Sequence, residues 1–244
     1  MLEQGVVMIS LYGFGANLGV TDPSPFVVKV ETFLKMASLP YQRVDRGSNL
    51  KKSPKGKLPF ISIKDANQEQ VIADSQHIIE QLTDKYNVTL DEHLTEEQKA
   101  QAYLMTKSLD ENLYWCLVYS RWVQQDTWPH VKQAFFGKFP SYLRWFVPNL
   151  VRKSVIKTLN GQGLGRHSED EILAITDKSL QALSHVLGAK DYFFGEQVCS
   201  FDATAYALLC QFFSVNYQDK FNQKAKNYPN LIQYCQRIEQ QYFL

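Results

Sequence analysis

The sequence predicts an α/β domain followed by an all-helical domain, and two observations support this. Over residues 1–86, short β-branched runs alternate with segments of helical periodicity, whereas residues 95–244 carry helical periodicity alone. Polar residues 87–95 separate the two parts. We therefore expect one domain over residues 1–86 and a second over residues 95–244.

The first part predicts the order β-α-β-β-β-α. Residues 6–12 are apolar and β-branched, as in a buried strand, and Ser24 with Pro25 forms a usual helix start. This order, with one right-handed β-α-β unit and a terminal hairpin, resembles the thioredoxin-like plan. The other predicted features are a helix end at Pro40, strands at 41–44, 58–63 and 70–73, a mobile loop at 46–57, a turn at Asp65-Ala66-Asn67 and a helix from Asp74-Ser75.

The second part predicts a series of helices. Residues 96–124 have the apolar spacing of one long helix, and Ser168 with Glu171 forms a capping box at the start of another. Residues 201–213 are nearly all apolar, which indicates a helix buried on every side, and Pro229 starts a last helix that reaches Tyr242.

Composition argues against several classes of function. The formal net charge is +1 without a basic block, so we expect no nucleic-acid partner. The apolar stretches are too short for a membrane span, and the five histidines lack metal-ligand spacing, so we expect neither a span nor a metal site. The four cysteines form no CxxC pair, which favours reduced, buried thiols in a cytosolic protein.

Three short segments are candidates for a thiol-binding site. A hydroxyl at Ser24, at the positive end of a helix, is suited to hydrogen-bond a thiolate, although an ordinary helix cap is the alternative. Tyr12, at the end of the first strand, competes for the same role. A cis bond before Pro59 would turn the Leu58 main chain outward to pair with an extended peptide; an ordinary strand-entry proline is the alternative. The start of a helix at Asp74 and Ser75 is suited to hold a carboxylate and an amino group, or only to cap that helix.

A dense aromatic run is the candidate wall of an apolar pocket. Trp115, Tyr119 and Trp122 are spaced i, i+4 and i+7, which places them on one helical face. Arg121 lies among them and is expected to reach either an anionic ligand or a surface carboxylate. Core packing is the alternative for the aromatic residues. Residues 142–153 are basic and aromatic, and they are expected to form a packed helix or a contact with a membrane or a partner.

The chain resembles the cytosolic glutathione S-transferases in five segments: Ser24-Pro25-Phe26, Gly56-Lys57-Leu58-Pro59, Asp74-Ser75, Phe194-Gly195-Glu196 with Phe201-Asp202-Ala203, and Tyr228-Pro229-Asn230-Leu231. One departure is Cys199, which stands where that family's capping box has Ser or Thr. Because a thiol is a weaker cap, the capping position is expected to shift by one residue, to Ser200.

This resemblance implies a transferase that uses glutathione as co-substrate and attacks an apolar electrophile or a peroxide. Ser24, or else Tyr12, would stabilise the glutathione thiolate, and the electrophile would contact Trp115, Tyr119 and Trp122. A cytoplasmic homodimer is also implied. The residues implied to bind glutathione are Pro25, Lys57, Leu58, Pro59, Asp74 and Ser75.

Within the superfamily, the chain resembles the branch of failed axon connections and metaxins. The segments that carry this likeness are 25–32, 113–122 and 163–168. Some members of that branch are not known chiefly as catalysts, so a non-catalytic binding or scaffold protein is the alternative function. Thiol–disulfide exchange is disfavoured, because Ser24 and Val27 stand where the two cysteines of a CxxC motif would be.

Overall fold

A computed structural model describes residues 8–64 and 68–244 of the chain. Its sheet has the order β2-β1-β3-β4, in which β1 pairs in parallel with β2 and antiparallel with β3, and β3 pairs antiparallel with β4. The parallel pair is joined by helix α1, which spans Pro25–Met36. This is the predicted thioredoxin-like arrangement. The strands are β1 Met8–Gly13, β2 Tyr41–Asp45, β3 Phe60–Lys64 and β4 Glu69–Ala73.

Helix α1 is buried between the sheet and the helical domain. Ile9 and Leu11 of β1 and Ile61 of β3 are buried against the core that α1 shares. Nearly every residue of α1 is buried, because its other side packs on α9, which spans Ser200–Phe213. The first helix therefore lies within one hydrophobic core that both domains share.

The prediction of a mobile loop is wrong for the segment at 46–57. It contains a short helix, α2, over Asn49–Lys52. The buried Asn49 side chain donates hydrogen bonds to the carbonyl oxygens of Gly13 and Val44, at 3.0 and 2.6 Å. The Ser53 hydroxyl donates to the Lys57 carbonyl oxygen at 2.5 Å. Side-chain bonds to main-chain groups thus order a segment whose composition is that of a loop.

The predicted long helix at 96–124 is interrupted. It is divided into α4 and α5 by a π-helical turn at Leu109–Leu113, and such a turn often marks a functional site. The remaining helices are α3 Ser75–Tyr86, α4 Glu96–Ser108, α5 Tyr114–Trp122, α6 Trp128–Phe136, α7 Ser141–Gln162, α8 Glu169–Leu187, α10 Lys220–Ala225 and α11 Pro229–Tyr242.

The buried helix α9 is confirmed, and so is the capping box at the start of α8. Helix α9 has Cys199 as its N-cap, so the expected shift of the capping position to Ser200 is wrong. The Asp202 carboxylate accepts from the Cys199 main-chain N–H at 2.9 Å, while Ser200 instead donates to Asp91 in the interdomain connector. The connector is therefore fastened to the core helix.

The predicted turn at Asp65-Ala66-Asn67 and the beginning of the predicted first strand lie outside the described residues. Within residues 8–64 and 68–244, every helix falls short of the length and hydropathy that a membrane crossing requires. In the same ranges, no group of three or more His, Cys, Asp or Glu residues has the arrangement of a metal site.

Candidate active site

The three predicted segments, at Ser24, Leu58–Pro59 and Asp74-Ser75, lie at the same end of the sheet. The Leu58–Pro59 bond is cis, and β3 begins immediately after it at Phe60. Phe60 pairs with Ala73 of β4 and with Tyr12 of β1, so the residues that flank these pairs are brought side by side. The start of β3 therefore lies next to the start of α3, near the loop that leads from β1 to Ser24.

Ser24 stands at the N-terminus of α1 with an unused hydroxyl. Its main chain is extended and its carbonyl oxygen accepts from the Val27 and Val28 N–H groups, but its side chain makes no capping hydrogen bond. Throughout residues 8–64 and 68–244, no group hydrogen-bonds the Ser24 hydroxyl. The simple N-cap interpretation therefore does not account for this serine.

Asp22 holds the loop that presents Ser24. Its carboxylate accepts from the main-chain N–H groups of Phe14 and Gly15, at 2.8 and 3.0 Å, and from that of Ser24 at 2.9 Å. Burial raises the Asp22 pKa to about 6, although these bonds and the Arg43 guanidinium act in the opposite direction. No sequence motif had indicated this residue.

Gly13 makes the close approach of Asp22 possible. A Cβ atom at position 13 would lie 2.5 Å from Asp22 Oδ2 and 2.9 Å from a guanidinium nitrogen of Arg43. A side chain at this position would therefore displace the carboxylate that fixes Ser24.

Tyr12 points elsewhere. Its ring stacks on Phe60, with centroids 4.1 Å apart, and its hydroxyl lies 3.3 Å from the Ser62 hydroxyl. It is absent from the described lining of the cleft that contains Ser24. The geometry therefore favours Ser24 over Tyr12 as the group that faces a ligand.

A cleft of about 420 Å³ separates the two domains beside Ser24. The α/β domain contributes Ser24, Pro25, Lys57 and Leu58 to its lining. The helical domain contributes mostly aromatic and aliphatic side chains from α5, and three residues of α7. Those residues are Tyr114, Trp115, Val118 and Trp122, with Ser154, Val155 and Thr158. The α/β side therefore presents the Ser24 hydroxyl and Lys57 among apolar residues, and we call it the polar wall. The helical side is mainly aromatic and aliphatic, with Asp110 and Glu111 at the π-helical turn, and we call it the apolar wall.

Two predicted pocket residues, Trp115 and Trp122, line the cleft, and Tyr119 does not. The Tyr119 ring instead lies 6.1 Å from that of Phe221. Successive helical residues are about 100° apart, and the lining face of α5 is centred on Val118, so Tyr119 turns away. Tyr114, which the spacing argument left out, lines the cleft and contacts the Phe26 ring.

Arg121 also lines the cleft, but it is 4% exposed, and in the described parts of the chain it forms no surface ion pair. Its guanidinium donates to the Pro23 carbonyl oxygen and to Gln211 Oε1, each at 2.6 Å, and to the Tyr217 hydroxyl at 3.3 Å. It joins the residue before Ser24 to the core helix α9.

A buried ion pair also links the two walls. The Lys29 ammonium of α1 is fully buried and donates to Asp110 Oδ2 of the π-helical turn at 3.2 Å. Burial lowers the pKa of Lys29 and raises that of Asp110. Among the described residues, Asp110 Oδ1 has no hydrogen-bond partner.

Asp74 and Ser75 begin α3 outside the lining of this cleft. Asp74 Oδ1 accepts from the main-chain N–H groups of Gln76 and His77, so the carboxylate caps the helix. Its φ of +88° is a conformation that L-residues rarely adopt, and such strain is often stored at functional sites. Ser75 is buried beside it.

The four cysteines are buried, and none lines the cleft as the structure describes it. Burial raises the pKa of each thiol, to about 11 for Cys116. A raised pKa keeps these groups as thiols and opposes their use as nucleophiles. A reactive sulfur in this cleft would have to come from a ligand.

Comparison with known proteins agrees with this geometry. Residues 25–127 match the glutathione S-transferase N-terminal domain and residues 176–238 match the glutathione S-transferase C-terminal domain. The isoprene-epoxide–glutathione S-transferase of Rhodococcus sp. strain AD45 is 31% identical over 96% of this chain and 99% of that protein. The chain belongs to the glutathione S-transferase family. The fold resemblance inferred from the sequence is therefore confirmed.

The similarity to the branch of failed axon connections and metaxins is also confirmed. Human metaxin-2 is 31% identical over 88% of this chain and 80% of that protein. Drosophila melanogaster failed axon connections is 31% identical over 97% of this chain, which spans 58% of that longer protein.

Solved structures of the family share the fold at low identity. A glutathione transferase from Phanerochaete chrysosporium has a TM-score of 0.65 at 16% identity, and covers 97% of this chain and 98% of its own. A family member from Pseudomonas fluorescens, solved with two glutathione molecules bound, has a TM-score of 0.60 at 16% identity, and covers 98% and 90%.

Proposed function

We propose that this protein is a glutathione transferase in which Ser24 stabilises the glutathione thiolate. The observation that carries the proposal is the Ser24 hydroxyl, which has no partner among the described residues and lies at the positive end of α1 inside the cleft. A donor and a helix dipole at this position lower the pKa of a bound thiol, and the thiolate is the reactive form.

The polar wall offers groups for the rest of the tripeptide. The Leu58 main chain lies outside the β3 ladder and is available to an extended peptide. Lys57 places a cation at the rim for a carboxylate. Asp74 and Ser75, at the adjacent end of the sheet, are assigned to the γ-glutamyl amino and carboxylate groups. Pro25 lines the cleft beside Ser24, and the cis bond before Pro59 sets the direction of the Leu58 main chain.

The apolar wall favours a hydrophobic electrophile. Tyr114, Trp115 and Trp122 supply aromatic surface opposite Ser24. With an epoxide, the substrate class in the name of the Rhodococcus relative, the thiolate sulfur would form a bond to carbon as the ring C–O bond breaks. The oxygen would then take a proton from water. Only groups that stabilise the developing charges better than the bound reactants accelerate this step.

Calorimetry with glutathione tests the proposal directly. We expect wild-type protein to bind glutathione and to conjugate it to a small apolar epoxide. A folded protein that neither binds glutathione in solution nor is retained on immobilised glutathione would contradict the proposed function. Circular dichroism of the same sample establishes that it is folded.

A non-catalytic binding protein is the second candidate function, and the similarity to metaxin-2 over 88% of the chain favours it. Under this alternative the cleft is vestigial and an outer surface performs the role. Glutathione binding without conjugation to an epoxide or a haloarene, and without reduction of a hydroperoxide, would favour this alternative.

A further inference from the structure

The outer side of α7 carries an unusual concentration of exposed apolar side chains. Of the twelve large hydrophobic residues that are exposed within the described ranges, five lie between positions 139 and 150. Trp145 is 82% exposed and Leu150 is 62% exposed. Contiguous exposed apolar surface usually marks an interaction site. The five are Phe139, Tyr142, Trp145, Phe146 and Leu150.

These side chains form one stripe rather than a scatter. The spacing of Tyr142, Trp145 and Phe146, and of Leu150 after them, is i, i+3, i+4 and i+8, which places them on one side of a helix. Lys153 and Lys157 continue the same side toward the C-terminus of α7. We call this stripe, with Lys138 and Phe139 before it, the basic aromatic face.

The surrounding charge is one-sided. Residues 127–168 contain seven Lys and Arg and no Asp or Glu, so the rest of the chain carries 19 basic and 25 acidic residues. In the part of the chain that the structure describes, none of the seven forms an ion pair. The small net charge of the protein therefore conceals a cationic surface. Its outward cations include Lys138, Arg144, Lys153 and Lys157.

We propose that the basic aromatic face docks on the surface of an anionic phospholipid bilayer. Exposed Trp, Tyr and Leu beside Lys and Arg on one helical side is the composition of interfacial helices, whose rings enter the headgroup region while their cations attract anionic lipid. A second copy of this chain is a poorer occupant. A two-fold interface would bring the same cations of both copies together.

Docking on this face would connect the bilayer to the cleft. The opposite side of α7 contributes Ser154, Val155 and Thr158 to the lining of that cleft. The same helix would therefore lie between the lipid surface and the apolar wall, and would bring the cleft near electrophiles dissolved in the membrane. The docking itself does not depend on the proposed transferase activity.

Vesicle co-flotation of the full chain tests the docking. We expect binding to vesicles of phosphatidylcholine mixed with phosphatidylglycerol, weak binding to phosphatidylcholine alone, and loss of binding as salt is raised. Leu150→Ser should lower the partition coefficient about tenfold, because the side chain that enters the bilayer loses its apolar surface. The double variant Lys138→Gln with Lys153→Gln should lower the partition coefficient about 30-fold, because each lysine contributes about 1 kcal/mol of attraction to the anionic surface.

Matched substitutions elsewhere distinguish a specific face from general stickiness. Leu104 of α4 is 67% exposed, so Leu104→Ser removes a comparable leucine, and Lys190→Gln with Lys226→Gln removes two exposed cations. We expect both controls to bind vesicles like the wild type.

Three results would overturn the proposal. In the first, the folded protein does not bind the anionic vesicles. In the second, the matched controls lose as much vesicle binding as the variants of the basic aromatic face. In the third, the protein does not bind vesicles but forms a dimer, or a complex with a soluble acidic protein, that Leu150→Ser abolishes.

Discussion

The two walls of the cleft differ in how their side chains come to face it. On the α/β wall, Ser24, Lys57 and Leu58 face the cleft because of local chain geometry: a helix start and the entry to a strand. On the helical wall, Tyr114, Trp115 and Trp122 face it because α5 packs in one particular rotation. Chemistry encoded by a short motif can be recognised along the chain, whereas a helical face becomes defined only after packing.

Arg121 offers the strongest test of this difference, because it connects the two walls. Arg121→Met would leave the Pro23 carbonyl oxygen and the Gln211 side chain without their charged donor. We expect the free energy of unfolding to fall by about 4 kcal/mol, because two buried acceptors are left without hydrogen bonds at a cost of about 1–3 kcal/mol each. Urea denaturation measures the loss.

Arg237→Met is the matched control, because Arg237 is only partly buried, donates to the Asp191 carbonyl oxygen and pairs with the Asp191 carboxylate at the surface. It should change the free energy of unfolding by less than about 0.5 kcal/mol. Similar stabilities for the two variants would show that the connection between the walls does not depend on Arg121.

The pH dependence of the free energy of unfolding tests whether Asp22, which holds the loop of the polar wall, is buried and has a raised pKa. Its pKa is raised from 3.8 to about 6, chiefly by burial, so the folded protein retains a proton that the unfolded chain releases near pH 4. Its contribution is therefore full below pH 4 and is lost as pH rises through about 6. Relative to Asp22→Asn, the wild-type free energy of unfolding should fall by about 3 kcal/mol over this range.

Denaturation of both proteins at intervals between pH 4 and 7 provides the measurement. If the difference in unfolding free energy between the wild type and Asp22→Asn stays constant across this range, the pKa of Asp22 is unshifted.

Removing the Ser24 hydroxyl tests the chemistry of the polar wall. Ser24→Ala should reduce the rate of conjugation about tenfold or more, because a donor to the developing anion is lost. Ser154→Ala removes another hydroxyl from the lining, on the opposite wall, and should leave the rate nearly unchanged. Steady-state kinetics with glutathione saturating compares them.

Tyr12→Phe completes this test. Its hydroxyl is beside Ser62 and its ring lies against Phe60, so we expect little change in rate. An inactive Tyr12→Phe together with an active Ser24→Ala would transfer the thiolate-stabilising role to Tyr12.

The smallest expected effect on stability comes from substitutions of Asp74, and these distinguish a helix-capping role from a glutathione-binding role. Asp74→Ala removes the cap of α3 and should cost about 1 kcal/mol of unfolding free energy. Asp74→Gly should cost less, because glycine adopts the φ of +88° without strain. Asp74→Asn keeps a capping oxygen and should preserve stability while it weakens glutathione binding in calorimetry. Unchanged binding by Asp74→Asn would leave Asp74 as a cap alone.

Much of the fold could be predicted because the relevant signals are local. Proline and serine positions predict the start of α1, Ser168 and Glu171 predict that of α8, and continuous apolar composition predicts α9. The interrupted helix at Leu109–Leu113 and the ordered α2 were not predictable from composition. A π-helical turn and the Asn49 bonds depend on neighbours that are distant in sequence.

The sequence by itself determined the order of the four strands and of helices α1 and α3, the starts of α1 and α8, and the hydroxyl at position 24, because each depends on residues within a few positions of one another. Only the tertiary structure decided that Arg121 is buried, that Tyr119 faces Phe221, that Lys29 pairs with Asp110, and that the aromatic side of α7 stays exposed. Each of these outcomes depends on the rotation and position of one helix against another, and hydrophobic spacing along a single helix leaves those free.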